Sequence, residues 1–322
     1  MDNTKSIIKV QSLKKGDTIG LITPASPISP EQLEQATKML HSLGYKTYHT
    51  EKVLFKKGYL AGTDTDRLDD MHHMFENKSV DAIMCIRGGY GTPRILPGID
   101  YDLIRKNPKP FIGYSDITAL LQAIYKFSGL VGFHGVVGTS DFTEYTKNNF
   151  FEVLTNPSDE LVISSILPNS DEGDEFNPYV IEHGKAQGEL AGGNLALIAA
   201  LIGTPYEIEL EGKLLFIEEI GEAPYKVDRM LTQLILTSKL QKAKGIVLGV
   251  FNGCDFNDDD ITAENSLSLK EVIEDRLSGF GIPVMYGFTF GHIANQAIFP
   301  IGIKAELDTE SMTVKLLEKA VL

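Results

Sequence analysis

The chain has 322 residues, long enough for one large domain or two ordinary ones with a substantial core. With 43% hydrophobic and 23% charged residues it has the make-up of an ordered globular protein, so disorder is excluded as the default state. The 30 basic residues against 44 acidic ones leave a net charge of −14, a surface that repels nucleic-acid phosphates and anionic lipid and so argues against both as partners.

The opening Met1-Asp2-Asn3-Thr4-Lys5 leads into polar sequence with no apolar signal core, and the expectation is a cytoplasmic protein. Thr18 to Thr23 is an apolar strand run ended by Pro24 and Pro27. A helix follows, with Ser29 as cap, Pro30 in the first position and Gln32 completing a capping box, and Gly44 stands where its C-terminal glycine belongs. Tyr45 to Val53 reads as a second strand and Thr63 to Phe75 as a second helix. Val80 to Ile86 is a buried strand containing Cys85, which reads as a structural thiol. Pro110 to Gly113 is a strand, and Asp116 to Lys126 the helix after it. Strands alternating with helices imply crossover units and a parallel sheet.

From Thr139 to Gly184 the pattern weakens. The acidic run 171–175 and the pairs Asn156-Pro157 and Asn177-Pro178 suggest an irregular connection. Beyond it, Lys185 to Leu190 and Leu214 to Glu218 read as strands. Tyr225 to Leu240 reads as an amphipathic helix with Val227, Met230, Leu231, Leu234 and Ile235 on one face. Gly245 to Val250 and Pro283 to Tyr286 are short buried strands, and Gly302 to Leu307 with Met312 to Leu316 a terminal pair. The expected architecture is α/β: a Rossmann-like N-terminal domain over 1–160, a linker over 161–184, and a smaller, strand-rich, barrel-like mixed domain over 185–322.

Three local features carry chemistry. Phe111-Ile112-Gly113-Tyr114-Ser115-Asp116 places a serine in the turn between strand and helix, as in a nucleophile elbow. The final glycine of G-x-S-x-G is replaced by Ile117, and a plain helix cap explains the same residues. Arg87-Gly88-Gly89-Tyr90-Gly91 follows a strand and serves equally as a tight turn or as a loop presenting N–H groups to a ligand. A serine needs a base. His72 and His73 are adjacent and diverge, His41, His49 and His183 have polar surroundings, and His134 ends an apolar strand. His292, beside Gly291 in a loop, is the better candidate. Glu218 and Glu219 offer carboxylates at a strand end, and no residues have metal-ligand spacing.

Together with Gly16-Asp17-Thr18-Ile19-Gly20, Pro24-Ala25-Ser26-Pro27, Gly192-Gly193-Asn194-Leu195, Pro224-Tyr225-Lys226-Val227-Asp228-Arg229 and Pro300-Ile301-Gly302, these runs resemble the LD-carboxypeptidase family of serine peptidases, in the family's order and over nearly the whole chain. The resemblance implies a triad of Ser115 as nucleophile, His292 as base and Glu218 as orienting acid. Glu219 stands where the family often has aspartate, so the choice between neighbours rests on the motif. Backbone N–H groups of Gly89 and Asp116 would form the oxyanion hole, with Gly88 in the same loop contacting substrate. The implied reaction is release of terminal D-alanine from a murein tetrapeptide during cytoplasmic peptidoglycan recycling, by a homodimer that needs no cofactor or metal. Its partner is a small peptide or muropeptide, not nucleic acid or a membrane. Arg87, Arg94 and Arg229 are conceivable cations for the substrate carboxylate, none of them committed to it. The nearest rival is the microcin-immunity branch, which cleaves an acyl–nucleotide amide using aromatic stacking; the absence of Trp favours the carboxypeptidase side. A silent binding protein on the same fold and a general α/β-hydrolase esterase are the other readings, the first opposed by the full set of triad residues and the second by the incomplete elbow.

Overall fold

Short runs, all but β2's mostly apolar, build the first sheet. The structure, a computed structural model, describes residues 6–166, 176–256 and 265–322. Residues 1–5, on which the cytoplasmic expectation rests, lie outside it, and so does the acidic run 171–175. The first half runs β1 (Thr18–Ile22), α1 (Pro30–Ser42), β2 (Lys46–Tyr48), α2 (Asp64–Glu76), β3 (Ala82–Cys85), α3 (Tyr101–Lys106), β4 (Phe111–Gly113), α4 (Thr118–Ser128), β5 (Phe133–His134) and α5 (Glu144–Leu154). The second continues with β6 (Leu161–Ser164), β7 (Tyr179–Glu182), β8 (Lys185–Asn194), α6 (Leu195–Leu201), β9 (Lys213–Ile220), α7 (Pro224–Leu236), β10 (Gly245–Asn252), α8 (Leu269–Leu277), β11 (Val284–Gly291), β12 (Phe299–Pro300), β13 (Lys304–Asp308) and β14 (Thr313–Leu316).

The capping box read at Ser29 is present: its hydroxyl accepts from Gln32 N at 3.3 Å, and Gln32 Oε1 accepts from Ser29 N at 2.9 Å. Strands β2-β1-β3-β4-β5 are parallel in that order, a doubly wound arrangement whose order reverses between β1 and β3, and β12 adds antiparallel to β5 at the edge. Two boundaries differ from the sequence reading. The strand expected to reach Val53 stops at Tyr48, because Thr50 turns its hydroxyl back to Lys52 N at 3.2 Å and starts a 3-10 turn, Glu51–Leu54. The helix expected from Asp116 begins as a 3-10 turn, Ser115–Ile117, before α4.

In the second sheet the order is β6-β14-β13-β8-β9-β10-β11-β7. Its centre, β8 to β11, is parallel, and the flanking strands are antiparallel. The stretch 161–184 is therefore not an irregular linker among its described residues, since β6 and β7 are paired strands of this sheet. Both runs are short and mostly apolar, without polar alternation, and they flank the Asn-Pro pairs and the acidic run whose turn signals suggested a connection. The sheet curls: Ser165 Oγ and Ile166 N, just past β6 at one edge, lie 3.0 and 2.8 Å from Thr289 Oγ1 on β11, next to the other edge. Leu215 and Ile217 of β9 face α6 and α7 with Leu195, Val227, Leu231 and Leu234, while Phe216 turns to the opposite face and meets Phe290. Met1–Ser158, Ile298–Gly302 and Lys319–Leu322 form one compact unit, and Asp159–Ala297 with Ile303–Glu318 the other. The range 185–322 expected to be a single domain thus contributes two pieces to the first unit. No described helix is long and apolar enough to cross a membrane.

Candidate active site

In the first unit Ser115 stands directly after β4, at the carboxyl edge of the parallel strands, where doubly wound sheets bind ligands. Its φ is +65°, in the left-handed region that disfavours every residue but glycine. Such strain costs about 1–3 kcal/mol and persists where the surroundings enforce it. The surroundings are glycines. A β-carbon on Gly88 would lie 2.9 Å from Ser115 Cβ, 3.1 Å from its Oγ and 3.3 Å from Asp116 N, and one on Gly113 would lie 2.8 Å from Ile117 Cγ2. Gly88 and Gly113 thus let the loop after β3 close over a sharp serine turn.

Asp116, proposed from sequence for its backbone N–H, also works through its side chain. Its buried carboxylate accepts from Thr92 N at 2.8 Å and from the N–H of Gly91, while its carbonyl accepts from Thr92 Oγ1. Burial raises its pKa despite these donors. Gly89, at φ +114°, is exposed, and a β-carbon there would collide with Ser26 Oγ, the atom that accepts from Tyr90 N at 3.1 Å. Arg67 is a residue the sequence reading missed. Wholly buried, it donates through Nη1 to Pro24 O at 2.7 Å and Gly91 O at 2.9 Å, and pairs with Asp64 at 2.6 Å. The signal was present, because Arg67, Met71 and Met74 occur at helical spacing on the buried face of α2.

The second unit brings Glu218 and His292 together. His292 Nδ1 lies 2.7 Å from Glu218 Oε2, with Glu218 wholly buried and His292 16% exposed. A carboxylate only accepts, so the Nδ1 proton is donated to it and the basic lone pair sits on Nε2. Burial disfavours the imidazolium, yet the charge and hydrogen bond of Glu218, with Glu219 behind it, outweigh this and hold His292 above its ordinary value. Gly291, at φ +114°, permits the approach: a β-carbon there would stand 3.1 Å from Glu218 Cβ. Asn252, at the end of β10, donates to His292 O at 2.8 Å, and Gln296 to Gly291 O at 2.9 Å. Strand alternation resolves the two acids. Glu218 shares the face of Phe216, whereas Glu219 shares that of Ile217 and points toward α6.

The remaining histidines stand away from this pair. His72 Nε2 accepts from Asp100 N at 3.0 Å, His73 lies 3.0 Å from Tyr48 Oη, His41 3.2 Å from Thr47 Oγ1, and His49 3.1 Å from Thr50 O. His134 is buried against Tyr114, and His183 is exposed. Arg94 grips Asp64 with two nitrogens, Arg87 donates to Pro27 O at 3.4 Å, and Arg229 sits 6.0 Å from the Tyr225 ring. Cys85 is fully buried, which drives its thiol pKa well up, in keeping with a packing role.

Family models describing the LD-carboxypeptidase N-terminal and C-terminal domains match residues 19–135 and 187–307. A probable murein peptide carboxypeptidase of Bacillus subtilis is 43% identical over 311 residues, covering 95% of this chain and 93% of the relative. Among solved structures, MccF in complex with glutamyl sulfamoyl guanosine superposes with a TM-score of 0.87 at 27% identity, covering 98% of this chain and 99% of that one. Muramoyltetrapeptide carboxypeptidase from Oxalobacter formigenes gives 0.79 at 30% identity, covering 93% and 97%. The serine turn on a doubly wound sheet and the acid–histidine pair on a mixed sheet thus fall in the two matched domains, and the chain belongs to the LD-carboxypeptidase family of peptidases.

Proposed function

We propose that the protein is a serine-type LD-carboxypeptidase that removes terminal D-alanine from murein tetrapeptides. The observation that carries this reading is the left-handed backbone of Ser115, a strained serine kept in a glycine-cleared turn at a sheet's carboxyl edge. In it Ser115 attacks the amide carbonyl, and His292 Nε2 takes the hydroxyl proton and returns it to the departing amine. Glu218 stabilises the imidazolium formed between those steps. The N–H groups of Gly89 and Asp116 hold the oxyanion, Gly88 keeps room for the substrate beside them, and water releases the acyl group. The names of the Bacillus subtilis and Oxalobacter formigenes relatives support the substrate class. A cytoplasmic recycling role and a homodimer accompany this reading, checked by fractionation and by light scattering.

Likeness to MccF, whose solved complex holds glutamyl sulfamoyl guanosine, supports a second reading, hydrolysis of a peptidyl-nucleotide amide. One assay separates them. Purified protein is offered a murein tetrapeptide and a peptidyl-nucleotide amide, and the products are resolved by amino-acid analysis. Release of D-alanine from the first alone is expected, and Ser115→Ala lowers it by about 10³-fold or more. Hydrolysis of the nucleotide amide alone overturns the substrate, and undiminished release by Ser115→Ala overturns the mechanism.

A further inference from the structure

Glu219 plays no part in the chemistry above, yet it is an unusual residue. It is 2% exposed and lies next in sequence to a second wholly buried acid, Glu218. Three donors converge on it: Asn194 Nδ2 at 2.8 Å and Ile220 N at 2.9 Å to Oε1, and Ala196 N at 2.7 Å to Oε2. An amide in its place would turn an NH₂ group against one of those donors, so the site is built for an acceptor on both oxygens. Asn194, whose Oδ1 already caps α6 through Leu197 N at 3.2 Å, is the ladder partner of Glu218 across β8 and β9. Glu219 therefore ties the β8–α6 turn to the very end of β9 that carries Glu218.

Two adjacent buried carboxylates are costly, and removing buried charge in favour of packing is often neutral or stabilising. Capping of α6 alone does not require a charge here, because Asn194 supplies the cap. We propose that Glu219 is a positioning residue for the Glu218–His292 pair, locking the end of β9 to the Gly193–Asn194 turn and placing a second carboxyl group behind the imidazole. This rests on the reading of His292 as the base.

Burial pushes the Glu219 carboxyl up to about 7, against its three donors and with Glu218 adding to the rise. The ionisable groups acting on the imidazole are Glu218 and Glu219. The Cys254 thiol, beyond β10, also feels Glu219, Glu218 and Glu222, but burial pushes it up to about 12, so it stays neutral and adds no charge. The His292 field is thus set by the two acids of β9.

The test is an NMR titration of the His292 ring in the full chain, alongside kcat and KM on the tetrapeptide. In Glu219→Gln the His292 midpoint is expected to fall by roughly 0.5–1 pH unit, with kcat down about 10-fold and KM within about 2-fold. An unmoved midpoint in a folded Glu219→Gln overturns the proposal. Should Glu219→Gln not fold, Glu219→Asp decides: it keeps the charge, so the midpoint stays near the wild-type value while kcat falls. A midpoint that drops to that of an ordinary histidine overturns the proposal instead. If His292→Ala retains wild-type turnover while the midpoint shift is seen, the reading of His292 as base fails and the coupling of Glu219 to the imidazole stands.

Discussion

The two sheets carry their candidate groups in opposite ways. At the end of β4 the device is backbone shape: a serine at positive φ, cleared by the absent side chains of Gly88 and Gly113 and closed by Arg67 and Asp116 gripping the neighbouring loop. At the ends of β9 and β11 the device is charge: a wholly buried carboxylate beside an imidazole, with a second carboxylate behind it. A shape-built site is damaged by adding atoms. A charge-built site is damaged by removing a proton acceptor while leaving every atom's place filled.

That contrast can be broken experimentally. Glu218→Gln is nearly isosteric, yet it takes the acceptor from His292 Nδ1, and kcat is expected to fall about 10³–10⁴-fold with the fold intact, read by steady-state kinetics and circular dichroism. Gly88→Ala adds one methyl group 2.9 Å from Ser115 Cβ and is expected to lower kcat about 10²-fold by displacing the serine. Wild-type turnover by Gly88→Ala would remove the basis for calling the first site shape-built. Arg67→Met leaves the carbonyls of Pro24 and Gly91 without their buried donor. A loss of about 2–4 kcal/mol in denaturant unfolding is expected, with a smaller effect on turnover than Gly88→Ala.

The smallest expected effects are the pH dependences of the charge-built site. His292 must be neutral to act as a base, so kcat/KM rises with pH, with its midpoint above that of an ordinary histidine. Stability moves the other way. His292 and Glu219 both have folded pKa values raised above their ordinary ones, so each stabilises fully below its ordinary value and loses that contribution as pH rises through the folded one. For Glu219 the window runs from 4.5 to about 7. Melting temperatures taken across pH 5 to 8 should decline in wild type and decline less in Glu219→Gln.

How much of this was legible depended on range. Capping at Ser29 and the left-handed turn at Gly44 are local chemistry, and the sequence showed both. The turn at Ser115 was visible as a strand–helix junction, but its sign of φ was not, since that comes from the loop after β3 pressing on it. The pairing of Glu218 with His292 came from resemblance. Strand alternation then gives the physical reason why Glu218 rather than Glu219 meets the ring. Strands β6 and β7 were missed because the neighbouring Asn-Pro pairs and acidic run outweighed their short apolar runs, and β12 because two residues that include a proline read as no strand at all. Proline is tolerated there because β12 lies at the edge of its sheet.

That edge strand has a consequence for synthesis. β12 pairs with β5, and the final residue, Leu322, exchanges backbone hydrogen bonds with Val10 and Ser12 at 2.8 and 3.1 Å. The β12 edge strand of the first unit is therefore translated after residues 159–297 of the second unit, and the Leu322 contacts after residues 303–318 as well. A chain emerging from the ribosome holds an unfinished first sheet, with the β5 edge unpaired, while residues 135–298 are made. The serine turn can form early, but the sheet that supports it is completed only after most of the second unit has been made.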